Sequence, residues 1–432
     1  MNSRTKIVSV AACLVTMFCI GIVYLWSVFQ QPVIDHYGWS SSAVTMVSSA
    51  IIFCYVLGTL VGGFILDRTS PAFVTVIGGV LLSAGLYLTS LLGAGIPWLI
   101  YITYGLCAGF GVGFAYGGAL NCIQKWFPHK RGFATGISVC AFGLATVVLG
   151  PLIEVFIEKL GVPGAFRALA FSFPLVVIVM GMLIKNPTQE YLCSLDNPAA
   201  CVVQRQYKPS EAVRHLEFWC LGLSLLFLPA AYMMIIPRVK TLGLLRGLSE
   251  NMTTITVSLT GVASAASRLV AGYVTDKIGG ARTIWILTAV TLISSVLMVF
   301  ADGALYIIAV LLIVCGYSGP AGIFPTLSTN AFGTRHSGTN YGLAFMFLGI
   351  SSPLFTMISN VVSASGVETG NYTAAFIIAA VGCVVPLVML PLYDVARKKH
   401  KPRDDAMIAA DPSWQNKTIN RSAHPKPGCA DF

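Results

Sequence analysis

The sequence predicts an all-α membrane protein with twelve transmembrane helices in two pseudo-symmetric six-helix halves. Of its 432 residues, 56% are hydrophobic and only 10% are charged, whereas soluble domains carry about 25% charged residues. The apolar runs reach the roughly 20 residues that a helical span needs, and they do not alternate as barrel strands do. In addition, short motifs of the first half recur in the second half.

The predicted spans follow one another with short polar connections. They cover residues 7–29, 42–65, 74–94, 97–120, 132–153, 165–185, 217–237, 252–273, 282–301, 303–326, 338–363 and 372–393.

The longest internal polar segment, residues 186–216, divides the chain into a first half (1–185) and a second half (217–394). We interpret this segment as a cytoplasmic linker. Its end, Ser210–Trp219, predicts a short amphipathic helix on the membrane surface with Ser210 as the N-cap. Residues 395–432 are polar and rich in proline, which predicts a disordered cytoplasmic tail.

The distribution of basic residues predicts the orientation of the chain. With the N-terminus inside, 21 of the 27 Lys and Arg residues fall in inner segments, as the positive-inside rule requires. Only the loop with Arg238, Lys240 and Arg246 opposes it; either these charges border an outer vestibule or the seventh span is misplaced. We expect a monomer in the plasma or bacterial inner membrane with both termini cytoplasmic. The net charge of +10 then reflects cytoplasmic loops facing lipid and not a nucleic-acid partner.

Two motifs repeat between the halves. Gly63–Arg68 after span two matches Gly272–Lys277 after span eight, and Phe127–Lys130 matches Phe332–Arg335. Gly132 and Gly342 each open the following span. Two six-helix halves in the same orientation are typical of one large class of secondary transporters.

The first repeated motif has a physical interpretation as a gate. Its glycine allows close helix contact, its carboxylate can cap the positive N-terminus of a facing helix or pair with a basic side chain, and its trailing cations face an anionic leaflet. The first copy has Ser70 and Pro71 at the later glycine and basic positions, which predicts a weaker latch. The predicted gating residues are Gly63, Asp67, Arg68, Gly272, Asp276, Lys277 and Arg282.

Arg268 is the one basic residue predicted well inside a hydrophobic span. The next charge, Asp276, lies eight residues later, or about 12 Å along a helix. A charge in the bilayer centre costs at least about 2.5–3.5 kcal/mol and is usually functional. The alternative is an interfacial arginine that snorkels to the headgroups.

The sequence offers no basis for catalysis. It contains no nucleophile–base pairing, no Cys or His cluster with metal-ligand spacing and no nucleotide-binding loop, and its twelve cysteines are scattered, mostly in apolar stretches. We therefore expect neither an enzyme nor a cofactor or metal. A transporter is favoured over a channel or receptor because the two halves repeat together with their gating motifs.

Several motifs resemble a known transporter family. They are Tyr24–Ser27, Asn121–Gly132 with its Trp-Phe-Pro-x-Lys-Arg-Gly core, Glu217–Trp219, Phe324–Thr326 and Asn340–Gly342. Together with the second gating motif, they resemble the major facilitator superfamily and, within it, the oxalate/formate antiporter family and the related monocarboxylate transporters. The resemblance covers about residues 7–394.

The resemblance implies a binding site. In the antiporter, an arginine of span eight and a lysine of span eleven hold the dicarboxylate under aromatic side chains. Arg268 matches the arginine, but Leu348 stands at the lysine position. The matching aromatic positions in spans one, four and ten are Tyr24, Tyr116 and Tyr317, with Ala321 at a second position of span ten, and Phe142 takes a tyrosine position in span five. The tyrosines could instead be ordinary packing residues.

One remaining cation indicates a small organic monocarboxylate as the substrate, because an unpaired second carboxylate would be very costly to bury. The coupling mechanism has two alternatives. With no evident acidic or histidine relay inside the spans, exchange of one anion for another is favoured. Proton symport is the alternative, with Glu154 as the nearest approach to a buried carboxylate.

Overall fold

A computed structural model describes residues 3–188, 191, 205–369 and 373–410. Within them the chain forms helices joined by short turns. The α-helices are α1 (Ser3–Ile20), α2 (Trp26–Tyr37), α3 (Ser41–Leu66), α4 (Pro71–Thr89), α5 (Gly109–Trp126), α6 (Arg131–Phe171), α7 (Phe173–Leu183), α8 (Pro209–Ala212), α9 (Leu216–Phe227), α10 (Ala230–Ile235), α11 (Val239–Leu245), α12 (Glu250–Ile278), α13 (Gly280–Leu297), α14 (Gly303–Ala321), α15 (Phe324–Phe332), α16 (Ser337–Thr369) and α17 (Thr373–Ala410).

Eleven helical stretches in the described residues are long and apolar enough to cross a membrane. One of them, Arg131–Leu183, has 53 residues, which is enough for two crossings. The backbone reverses within it at Gly161, whose φ of 70° lies in the left-handed region that glycine tolerates. Counting this stretch as two spans gives the twelve predicted helices and confirms the all-α membrane fold.

Two spans depart from regular α-helix over part of their length. The first span is interrupted by a 3-10 segment, Gly21–Leu25, and the fourth begins with a π-helical segment, Tyr101–Ala108. Irregular turns inside a span are common at functional sites because they redirect side chains. Here the 3-10 segment carries Tyr24.

The two halves meet mainly along two helix pairs. We call the contact of α3 with α16 the Asp67 seam and the contact of α6 with α12 the Asp276 seam. In each, a glycine lies against the facing backbone: a Cβ on Gly63 would lie 2.5 Å from the carbonyl carbon of Gly338, and a Cβ on Gly272 would lie 2.6 Å from the carbonyl oxygen of Gly132. The end of the bundle that carries Asp67, Asp276 and residues 205–216 is called the inner face below.

The described ends of the linker differ from the prediction. The helix after the linker is a single turn, α8, and its N-cap is Lys208 and not Ser210. Pro209 explains the earlier start, because proline is favoured at the first helical position, and the Glu211 carboxylate accepts a hydrogen bond from the Lys208 amide at 3.1 Å. Residues 189–190 and 192–204 of the linker lie outside the described residues.

The last span also differs from the prediction, because α17 continues to Ala410 and so includes part of the segment expected to be disordered. The Arg397 side chain donates a hydrogen bond to the carbonyl of Asn330 at 2.9 Å, which ties this extension to the end of α15. Residues 411–432 of the predicted tail lie outside the described residues.

Two arginines of the basic loop that conflicts with the predicted membrane orientation make hydrogen bonds to other parts of the protein. Arg246 donates to the carbonyls of Met298 and Val299 at 3.1–3.3 Å and forms an ion pair with Asp302 at 3.3 Å. Arg238 bonds to the hydroxyl of Ser359. Span seven, Leu216–Ile235, agrees closely with its predicted limits, so a misplaced span does not account for these charges.

Candidate functional site

Arg268 lies in the middle of the bundle, at the Asp276 seam between the halves. Arg268 is 4% exposed, and its Nη1 donates a hydrogen bond to the carbonyl of Val139 on α6 at 2.9 Å. Its Nε has no partner within the described part of the chain. No carboxylate of the described residues forms an ion pair with it. A guanidinium has five N–H donors, so this cation retains capacity to bind an anion.

The approach of this guanidinium depends on a glycine of the other half. A Cβ on Gly143 would overlap Arg268 Nη1 and lie 3.0 Å from its Cζ. Gly136, which lies two helical turns before Gly143 on α6, faces the backbone carbonyl of Arg268. These two glycines on α6 therefore leave room for the Arg268 side chain to reach across the seam. No signal in the sequence indicated this role for Gly143.

Aromatic side chains from both halves surround the cation. Tyr24 lies next to both Arg268 and Tyr317, and its hydroxyl interacts electrostatically with them. Tyr24 also packs edge-on against Phe142, with ring centroids 5.1 Å apart, and Tyr317 stacks on Tyr232 at 4.2 Å. The structure thus brings four predicted site residues together, with Tyr232 as an addition.

A second set of rings continues from Phe142. Tyr116 lies 5.6 Å from Phe142 and 5.4 Å from Tyr55, and it stacks on Phe345 with an interplanar angle of 7°. Tyr341 in turn stacks on Phe345 at 5.0 Å. We call these eight rings, which extend from Arg268 by ring-to-ring contacts, the aromatic cluster: Tyr24, Tyr55, Tyr116, Phe142, Tyr232, Tyr317, Tyr341 and Phe345.

Sequence reasoning missed half of the aromatic cluster. Tyr341 stood within a quoted motif and was a recognisable candidate. Tyr55, Tyr232 and Phe345 carry no such signal, because their meeting depends on how the spans pack and not on their spacing along the chain. Leu348 lies on α16 one turn after Phe345 and is 8% exposed. It places an apolar side chain on that helix where the resemblance implied a lysine.

The chemistry of this region follows from its charge. Of the described residues, only Arg268 and Glu217 are charged and buried, and Glu217 lies at the inner face. The centre therefore offers one cation, several tyrosine hydroxyls and apolar ring surfaces. It can neutralise one anionic group and enclose a small apolar remainder.

At the inner face, the two repeated carboxylates cap helices of the opposite half. Asp276 accepts hydrogen bonds from the amides of Gly132 and Phe133 at 2.9 and 2.8 Å, at the start of α6. Asp67 accepts from the amide and hydroxyl of Thr339 at 3.1 and 2.5 Å, at the start of α16. Both carboxylates meet the positive end of a helix dipole, and they connect the two halves at the inner face.

The cations of the gating motifs have other surroundings. Arg68 and Arg282 are exposed, and Arg282 borders a surface pocket of about 250 Å³ with Asp394. Lys277 lies over the ring of Tyr273 at 4.6 Å. In the first copy, the departing residue Ser70 caps α4 by accepting a hydrogen bond from the Phe73 amide at 3.2 Å. The gating role of the whole set stays a prediction.

The expectation about Glu154 is wrong. Glu154 is exposed on α6, whereas among the described residues the buried carboxylate is Glu217, which is 3% exposed in the first turn of α9. The α6 helix turns Glu154 away from the bundle, while α9 packs against α17 and encloses Glu217. Glu217 opens a motif already quoted for the resemblance, but its position at a span end concealed its burial.

Comparisons with known proteins agree with this architecture. The family model for the Major Facilitator Superfamily matches residues 11–356. The oxalate:formate antiporter of Oxalobacter formigenes is 27% identical over 86% of this chain and 87% of its own. Human monocarboxylate transporter 12 is 23% identical over 89% of this chain and 78% of its own.

Among solved structures, the Escherichia coli fucose:proton symporter FucP superposes with a TM-score of 0.66 at 16% identity, covering 90% of this chain and 99% of FucP. At this identity the similarity establishes the fold alone. The twelve-span architecture, the repeated motifs at the inner face and the match over most of its length agree, and the resemblance seen in the sequence is confirmed: the chain belongs to the Major Facilitator Superfamily and is a multi-pass membrane transporter, not an enzyme.

Proposed function

We propose that this protein carries small monocarboxylate anions across a membrane by alternating access, exchanging one anion for another, with Arg268 as the substrate-binding cation. The observation that carries the proposal is a buried guanidinium at the interface of the two halves with an unpartnered Nε and no counter-ion among the described residues. A buried charge without compensation is costly, so its retention favours an anionic ligand.

The carboxylate class follows from geometry and relatives together. A guanidinium presents paired N–H donors that match a carboxylate in a bidentate fork. Two relatives, described above, are named for oxalate and formate and for monocarboxylates. Leu348 in place of a second cation favours a substrate with a single charge, because a second buried carboxylate would remain unpaired.

The aromatic cluster supports a small substrate. Tyr24, Tyr116 and Tyr317 offer hydroxyl groups beside ring faces, which suits a carboxylate attached to a short apolar or hydroxylated chain. Phe142 and Leu348 contribute only apolar surface. We assign Arg268 to the carboxylate and these five side chains to the walls of the site.

Exchange is favoured by the charge of the empty site. Reorienting the halves with a bare cation enclosed in low dielectric is expensive, whereas a bound anion neutralises it. Glu154, the expected proton relay, is exposed, and Glu217 lies at the inner face, away from the aromatic cluster. These placements leave the substrate itself as the neutralising group.

Alternating access then uses the two seams. We propose that Asp67 and Asp276 latch the inner face through the helix N-termini that they cap, with Gly63 and Gly272 permitting the contact and with Arg68, Lys277 and Arg282 facing the headgroups. We further propose a monomer in the plasma or bacterial inner membrane with both termini in the cytoplasm, as the charge distribution predicts.

The test is transport by purified protein in liposomes. Labelled formate, lactate, pyruvate and oxalate are each offered to vesicles preloaded with the same set of unlabelled anions. Exchange predicts that an internal monocarboxylate accelerates uptake of the labelled external one many-fold and that a pH gradient alone does little. Vesicles with Arg268→Gln protein measure the leak.

Two results would contradict the proposal in different ways. Concentrative uptake driven by an inward proton gradient, with no internal anion, would replace exchange by symport. Oxalate transported better than every monocarboxylate would refute the substrate class while leaving Arg268 as the anion-binding residue.

A further inference from the structure

We propose that His215, Glu217 and His400 form a binding site for a first-row divalent metal ion of the zinc type at the inner face. His215 immediately precedes α9, Glu217 lies in its first turn, and His400 lies on the extension of α17. His400 is distant in sequence from the other two residues, so no spacing pattern predicted the site.

The three side chains offer ligand atoms close to one another. One imidazole nitrogen from each histidine and one carboxylate oxygen lie within 4.8 Å of each other. His400 Nδ1 is 2.6 Å from Glu217 Oε1, and His215 Nδ1 is 3.8 Å from Glu217 Oε2. The two imidazole rings are T-shaped with centroids 5.1 Å apart.

These separations are near those of a metal site. Zinc–ligand bonds of about 2.0–2.2 Å in a tetrahedron place neighbouring ligand atoms about 3.3 Å apart. The Glu217–His400 contact would widen and the Glu217–His215 contact would shorten, each by less than about 1 Å. Both histidines are only half-buried, so their side chains have room to make this adjustment.

The surroundings of Glu217 favour the binding of a cation. This carboxylate is 3% exposed, and its Oε2 has no hydrogen-bond partner within the described residues. The N-terminal end of α9 offers it partial compensation. A buried carboxylate otherwise needs a paired charge, and an ion between Oε2 and the two imidazoles would supply one.

The donor set selects the class of metal. Two imidazole nitrogens and one carboxylate oxygen match the ligands of zinc and its neighbours, with a fourth position open to water. Magnesium and calcium prefer shells made of oxygen alone. His215 and Glu217 lie at the start of span seven and His400 lies on the extension of span twelve. The ion would therefore fasten the first and last spans of the second half to each other without linking the two halves.

The experiment uses full-length protein in detergent, purified without a histidine tag and treated with a chelator. Isothermal titration with Zn²⁺ should give one ion per chain, and the same concentration of Mg²⁺ should give no binding. Co²⁺ should produce the visible absorption bands of a tetrahedral site. His215→Ala and His400→Ala should each weaken Zn²⁺ binding at least about tenfold.

Two variants serve as matched controls. His336→Ala removes a histidine of the same face outside the cluster, and Lys399→Ala changes the neighbour of His400 without removing a ligand; both should bind Zn²⁺ like the unmodified protein. Because His215 and His400 are only half-buried, their substitution should not prevent folding. Size-exclusion profiles of the variants check that they are folded. Absence of stoichiometric Zn²⁺ binding, or binding that survives both ligand substitutions, would overturn the proposal.

Discussion

The Asp67 seam and the Asp276 seam are built alike and differ at one level of the bundle. In both, a carboxylate caps the first turn of a helix in the opposite half. In both, glycines of the capped helix recur at the same spacing against the facing helix: Gly132, Gly136 and Gly143 in one, and Gly338, Gly342 and Gly349 in the other. The third glycine meets the Arg268 guanidinium in the Asp276 seam but only the side chains of Val56 and Phe53 in the Asp67 seam.

This difference separates two tasks. The parts shared by both seams are the close backbone contacts and the helix caps, to which we assign closure of the inner face in the proposed mechanism. The part present in one seam is the buried cation, which is costly to bury unless a ligand compensates its charge. In this proposal the symmetric features serve the conformational change, and the asymmetric feature serves substrate recognition.

The largest effect is expected from removing the charge of Arg268, which is present in the Asp276 seam and absent from the Asp67 seam. Arg268→Gln should lower anion exchange by about 30-fold or more, since losing one partner of a buried charge pair costs about 2–5 kcal/mol. Insertion and folding should persist, because the substitution relieves a buried charge. Counterflow in liposomes measures the first effect, and detergent-solubilised yield with thermal melting measures the second.

Arg268→Lys is the graded control and should be partly active at best, since an ammonium group cannot reproduce the bidentate fork. Exchange at the unmodified rate by the Arg268→Gln protein would remove Arg268 from the site.

The third glycine of each seam provides a matched pair. Gly143→Ala should lower exchange about tenfold or more, because the new methyl group overlaps the guanidinium and must displace it. Gly349→Ala should change exchange less than about twofold, since its Cβ would lie 3.2–3.3 Å from the Val56 side chain, which can yield slightly. Equal losses in both variants would mean that Gly143 serves only helix packing.

The sequence predicted the shared features better than the unshared ones. The spans, the two halves and the paired carboxylates follow from hydropathy and repeated motifs, which are local properties. Arg268 was identifiable because charge in a span is rare. Its supporting residue Gly143 and half of the aromatic cluster were not, because their roles arise from contacts between distant spans.

Buried charge at span ends was also hidden from the sequence. Glu154 and Glu217 both lie near the end of a predicted span, and hydropathy does not distinguish the one that faces outward from the one enclosed between α9 and α17. The difference depends on helix rotation and on the continuation of α17 beyond the membrane, where the composition predicted disorder.

A smaller effect is expected from adding a charge to the other seam. Leu348→Lys should shift preference from monocarboxylates toward oxalate, because a second cation can pair a second carboxylate. We expect monocarboxylate exchange to fall severalfold and oxalate to become a measurable competitor in the same liposomes. Leu348→Met, which keeps the side chain apolar and of similar volume, is the control. Oxalate competition that is the same in both variants would place Leu348 outside the substrate site.

The smallest expected effect concerns the latch of the Asp67 seam. Burial raises the pKa of the Asp67 carboxyl above its usual range, although the hydrogen bonds from Thr339 act in the opposite direction. The closed inner face therefore binds a proton more tightly than a state in which Asp67 is solvated. By linkage, this contribution to closure is fully present below the ordinary pKa of an aspartate and is lost as the pH rises through the raised value.

Burial also lowers the pKa of nearby His336 in the closed state. Protonation of His336 at low pH therefore favours opening, which opposes the effect of Asp67. The pH dependence is therefore measured in a His336→Gln background. Hydrogen exchange of the Thr339 amide region, expressed relative to the Gly132–Phe133 region of the Asp276 seam, should show greater protection as the pH falls from about 7.5 to about 5.5. The change should be smaller than the effects of the substitutions described above. Asp67→Asn keeps an acceptor for the Thr339 amide but cannot titrate, so its protection ratio should stay flat with pH. A flat ratio in the protein with Asp67, or the same slope in the Asn variant, would show that this carboxylate does not set the pH response of its seam.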